Sequence, residues 1–154
     1  MACELLTREF EDDTDGKKFV ITTRQLSASN ALDLYVELMN KVGGSVLPLI
    51  NDDYNFGDLL SVMRANPDNK VVTELIKRVI CSANMEGAEI QPALFNNYFS
   101  GRLMLSMKVF AFVLEANFKE FFRQGRALNE QRSLEAADRL KQQELNLMKS
   151  LPET

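Results

Sequence analysis

The chain has 154 residues, 45% of them hydrophobic and 26% charged, with a formal net charge of −4 and no histidine. That length fits one domain able to bury about 68–70% of its unfolded surface, and the composition is that of an ordinary globular protein rather than a disordered or fibrous one. An acidic chain without a basic stripe lacks the footprint that phosphate binding needs, which argues against nucleic acid as a partner, while the missing imidazole removes the commonest acid/base group near neutral pH and the commonest metal ligand.

Much of the charge is local. The first sixteen positions hold Glu4, Glu9, Glu11, Asp12, Asp13 and Asp15 against Arg8, so the remainder is close to neutral. Cys3 and Cys81 have no pairing or metal-ligand spacing. "MACELLTREF" has neither the basic start nor the apolar core of a secretory signal, and the expected home is a reducing cytoplasm.

"CELLTREF" and "KKFVITTRQL" are Thr-, Val-, Ile- and Phe-containing runs separated by "EDDTDG", where Gly16 takes positive φ cheaply; together they predict a β-hairpin. Phe19, Ile21 and Thr23 face one side of the second run. The acidic turn imitates the opening of a calcium loop through Glu11, Asp13, Asp15 and Gly16. The twelfth position, however, is Thr22, which cannot supply the bidentate carboxylate, so the turn is expected to be a solvated one.

From "LSASNALDLYVELMNKVGG" the apolar spacing lengthens to a helical one, with Ala28, Ala31, Tyr35, Leu38, Met39 and Val42 on one face, Ser27 or Ser29 as cap and Gly43 and Gly44 as exit. After the loop "VLPLINDDYNFG" a short helix is expected around Asp58 to Ala65. "NPDNKVVTELIKRVICSANM" predicts another, with Asn66 as cap, Pro67 at the first helical position and Asp68 in the positive first turn. Its stripe is Val72, Leu75, Ile76, Val79, Ile80 and Ala83, with Glu74 and Arg78 paired outside and Cys81 a small residue in or near the core. "EGAEIQPALFNNYFSG" then breaks the helical pattern.

From Arg102 to about Arg123 the chain is helical again and apolar on nearly every side: Leu103, Met107, Phe110, Leu114, Phe118 and Phe121 form one stripe, and Leu105, Val109, Phe112, Val113 and Ala116 a flank. Lys108 and Glu115 interrupt the run too early for a membrane span, so no membrane is expected and the segment reads as the central helix of a bundle. Beyond Gln124 and Gly125 aromatics vanish, and Glu135 and Arg139 can pair at i, i+4. Leu140, Leu147 and Leu151 recur at spacings of seven and four, too briefly for a coiled coil. The fold expected is mainly α, a small helical bundle with an N-terminal β-hairpin and a charged C-terminal helix, divided into a domain at residues 1–124 and an arm at 125–154.

Two stretches, "FVITTRQLSASNALDLYVELMNKVGGSVLPLI" and "LFNNYFSGRLMLSMKVFAFVLEANFKEFF", resemble the tail assembly chaperones of long-tailed bacteriophages. The second carries an F-x-x-x-F-x-G element, an apolar helix and a close of the form [FA]-x-L-E-x-N-[FY]-x-x-F-F. Phe95, Tyr98, Phe99, Gly101, Glu115, Asn117, Phe118, Phe121 and Phe122 match that pattern. The resemblance, over roughly Lys18 to Arg123, implies a non-catalytic phage protein of the host bacterial cytoplasm. It would hold the aggregation-prone tape measure protein, assist the tail tube protein to form around it, and be missing from the finished virion. The rival reading is a structural virion protein of the tail, a completion or connector subunit. Neither needs a cofactor or a metal, and both leave self-association open. Phe118, Phe121 and Phe122, with Leu140, Leu147 and Leu151, are the residues expected to meet a partner, while Glu115 and Asn117 are expected in structural roles.

Overall fold

The structure, a computed structural model, describes residues 3–150. The contacts divide the chain into two units, Met1–Lys119 and Glu120–Thr154.

The first unit opens on a hairpin. Strands β1 (Leu5–Glu11) and β2 (Lys18–Arg24) pair antiparallel from Leu5 opposite Arg24 to Glu11 opposite Lys18. As the alternation requires, Phe19, Ile21 and Thr23 are buried while Lys18 and Arg24 are exposed. Helices α1 (Ala28–Lys41), α2 (Leu47–Ile50), α3 (Phe56–Arg64) and α4 (Asn69–Ile80) follow. On α1 the predicted face holds at Leu38 and Val42, which are buried, but Ala28 is exposed, and Ser27 occupies the cap position without a side-chain bond. Helix α3 has a capping box: Asn55 accepts from the Asp58 N–H, and Asp58 accepts from the Asn55 N–H.

Two expectations about α4 need correction. Its cap is Asp68, accepting from the Lys70 N–H, not Asn66, so Pro67 precedes the cap rather than opening the helix and Asp68 lies before the first turn rather than in it. Asn66 sits two residues earlier, accepting from the Asp68 N–H and donating to the Lys41 carbonyl, so its amide ties the turn to the end of α1. Arg78 pairs across the fold with Glu37 of α1, which outcompetes the in-helix partner Glu74. All six predicted stripe residues, Val72 through Ala83, are buried.

Behind α4 the chain returns to the sheet, which the sequence did not announce. Strands β3 (Asn84–Met85) and β4 (Ala88–Glu89) extend it in the order β1-β2-β3-β4. Glu86 and Gly87 both have positive φ, the signature of the tight turn that suits hairpin twist. Glu86 completes the pairing: its backbone N–H donates to the Val20 carbonyl and its carboxylate accepts from the Val20 N–H. Helix α5 (Phe95–Phe99) leads through Gly101, at φ 75°, into α6 (Leu103–Ser150).

The early part of α6 is the central element of the first unit. Every residue from Leu105 to Leu114 except Lys108 is buried. A helix can be apolar nearly all round because neighbours lie on several sides: Phe112 meets Phe10 of β1 edge-on at 5.6 Å, and Phe118 meets Tyr35 of α1 at 6.0 Å.

The acidic turn is not merely solvated, contrary to expectation. Asp12 is buried; its carboxylate accepts from the Thr14 N–H and from Arg102 Nε at 2.7 Å, and the Arg102 guanidinium also lies 4.9 Å from the Phe19 ring centroid. Asp13 faces Lys108 at 3.2 Å. The Thr14 N–H foremost, with Arg102 acting against the opposing effect of burial, holds the Asp12 carboxyl below its ordinary value of 3.8. A depressed carboxyl contributes stability that is present above its unfolded value and lost as pH falls through its folded value. Asp12→Asn should therefore lose stability less steeply than the parent chain below about pH 4, measured as melting midpoint against pH; parallel curves would remove Asp12 from the acid response.

The second unit consists, among the described residues, of the remainder of α6. Glu120 pairs with Arg123, and Glu135 lies between Arg132 at 3.7 Å and the predicted partner Arg139 at 3.9 Å. These are exposed pairs on the helix surface, where solvent and salt screen most of their attraction. Composition changes at Gly125 and contacts at Lys119, yet α6 is helical through both. One glycine costs a helix only about 1 kcal/mol relative to alanine.

Candidate functional site

The residues that carry the aromatic close of the apolar helix divide into those that hold the fold and those that face solvent. Glu115 receives both ends of the Arg8 guanidinium, at 2.9 and 3.0 Å, in a fork that pins β1 to α6. Asn117 works on the backbone: its side-chain oxygen accepts from the Leu26 N–H at 2.8 Å, and its amide donates to the Val113 carbonyl at 2.9 Å. Beside it Gln25 donates to the Ala116 carbonyl. The connection from β2 to α1 is thus strapped to α6, as a structural role for Glu115 and Asn117 requires.

Phe118, expected at a partner surface, is buried against Tyr35 and belongs to the core of the first unit. One turn further the helix changes character. Phe121 is 57% exposed and Phe122 half-buried, with their rings edge to face at 5.4 Å. Leu140 and Leu147 are exposed, and Leu151 lies outside the described residues. The leucine spacing missed two members of the same surface, Leu145 and Met148, also at least half exposed. At 100° per residue, Leu134, Leu140, Leu145, Leu147 and Met148 fall within about half of the helix circumference. That breadth, rather than a heptad, was the signal available.

A cleft of about 250 Å³ brings Cys81 beside Pro92 and Phe95 with Glu74, Lys77 and Arg78 around it. Burial pushes the Cys81 thiol up from its ordinary value, away from the thiolate that nucleophilic or metal-binding chemistry needs. Among the described residues no group of three or more Cys, Asp or Glu is placed to hold a metal ion, and no helix is long and apolar enough to cross a membrane.

What this arrangement offers is apolar surface on a helix, suited to covering another chain. A family model described as phage tail assembly chaperone protein, TAC, matches residues 15–129, about three quarters of the chain. No curated protein and no solved structure gave a match.

Proposed function

This chain belongs to the phage tail assembly chaperone family, and on that premise we propose that it binds the tape measure protein and assists the tail tube to assemble around it, without taking part in catalysis. A chaperone role in tail assembly follows from the family. The observation that supports the finer reading is the exposed apolar side of the second unit, with Leu134, Leu140, Leu145, Leu147 and Met148 each half exposed or more. A tape measure protein is a long helical chain whose apolar faces await partners, and a helix with such a side can cover one of them. Phe121, at the start of this unit, supplies the aromatic anchor that the leucines lack. The expected setting is the host bacterial cytoplasm, with the protein left out of the mature virion.

Co-expression with the neighbouring tape measure gene, followed by pull-down from the soluble fraction, tests this. The full chain should keep the tape measure protein soluble and co-purify with it. A chain truncated after Gln124 should stay folded, because the removed residues carry no aromatic and the described ones among them are almost all exposed. Its melting midpoint should fall by no more than a few degrees, as about 1 kcal/mol moves a domain of this size by roughly 2–4 °C, while co-purification should be lost. Retained co-purification would place the contact elsewhere. Stoichiometric recovery of the protein in purified particles would instead favour a structural tail subunit.

A further inference from the structure

A second apolar surface lies wholly within the first unit, and none of its lining residues is among those named as partner contacts. Two clefts, of about 350 and 220 Å³, share Met63 at the end of α3 and Leu103 and Met107 at the start of α6, so they form one continuous groove. Phe56 lines the smaller cleft and Phe95 the larger. Leu103 is 70% exposed and Phe56 59%, an arrangement a monomer has no internal reason to keep.

Three features define what fits. The walls are helices whose backbone groups bond within the helices, so an extended peptide finds no strand edge to join, and side-chain interdigitation is what remains. Both hydroxyls in the lining are already engaged, Thr73 Oγ1 donating to the Asn69 carbonyl and Ser106 Oγ to the Leu103 carbonyl, so among its polar side chains Asn69 and Lys77 remain to meet an occupant. Met63, Met104 and Met107, three of the chain's seven methionines, give the groove an adaptable lining that can repack around different aliphatic side chains.

Charge selects further. In a chain of net charge −4, the one formally charged residue lining the two clefts among the described residues is a cation, Lys77, whose ammonium lies 5.9 Å from the centroid of the Phe95 ring. Among the described residues no carboxylate lines either cleft.

We propose that this groove holds an amphipathic helix of the tail protein being chaperoned, seated by an apolar stripe and oriented by a carboxylate against Lys77. The proposal rests on the tail-assembly reading for the identity of its occupant and on the groove alone for its chemistry.

The test uses the full chain, its Leu103→Asp, Phe56→Asp and Lys77→Glu variants, and two fluorescently labelled model helices. Both helices carry leucine at i, i+4 and i+7 spacing; one is flanked by glutamates and its twin by lysines. The replaced side chains are exposed, so circular dichroism should show all three variants folded. The glutamate-flanked helix should bind the parent chain at least about tenfold more tightly than it binds Leu103→Asp or Phe56→Asp. Lys77→Glu should reverse the preference between the twins. Equal binding by the parent and both aspartate variants would overturn the proposal. So would a parent dimer that Leu103→Asp converts to monomer in sedimentation, since the groove would then belong to a second copy. In co-expression, a tape measure protein held equally by the parent and Leu103→Asp would also overturn it and leave the chaperone reading standing. The predicted peptide pattern without any retention of the tape measure protein would leave the chemistry of the groove standing and overturn the tape measure protein as the partner.

Discussion

Phe110→Ala should lower the unfolding free energy by about 3–5 kcal/mol, the cost of a deleted core aromatic and the cavity it leaves. Phe110 is completely buried at the middle of the run from Leu105 to Leu114, with Val109 and Leu114 equally inaccessible. Neighbours on several sides cannot all collapse into the space, which places the expectation in the upper part of the range. Denaturant unfolding monitored by circular dichroism measures it. A loss under about 1 kcal/mol would mean that this site relaxes freely and that α6 is not the packed centre of the first unit.

Asn117→Ala should cost about 1–3 kcal/mol, although it removes no apolar contact. The substitution takes away the acceptor for the Leu26 N–H and the donor to the Val113 carbonyl at a partly buried junction. Alanine's better helix propensity returns roughly 0.5 kcal/mol, too little to offset an unsatisfied amide. The same unfolding measurement, joined to hydrogen exchange at Leu26, checks it: exchange at that amide should quicken. A neutral result would show that water takes over the bond without penalty.

These two residues also mark how much the sequence discloses. Helical periodicity identified every buried position of the α4 stripe, and alternation identified the buried side of β2, because each pattern reports a single face of a single element. Phe118 was misassigned for the complementary reason. A helix apolar on most sides carries no internal mark of which residues its neighbours cover, and Phe118 is buried where Phe121, three residues on, is 57% exposed. The same ambiguity hid the groove, since Leu103 and Met107 belong to the stripe that elsewhere is core. Strands β3 and β4 pair over two residues each, too few to alternate. Asp12 looked like one solvated acid among several because its partner Arg102 is 90 residues away. Local preference cannot disclose a pairing of that span.

That span has a consequence during synthesis. Arg8 and Glu115 are 107 positions apart, and the bonds from Gln25 and Leu26 to Ala116 and Asn117 each reach 91. At about 5–20 residues per second, a ribosome makes Glu115 roughly 5–20 s after Arg8. Until α6 emerges, the side of the hairpin carrying Phe10, Phe19 and Ile21 has no lid, and the first unit cannot close. In that interval the dense negative charge of the turn stands beside the uncovered side, where its repulsion opposes pairing between hairpins on neighbouring nascent chains. The carboxylates of Asp12 and Asp13 thus go without their two cations until Arg102 and Lys108 have been translated.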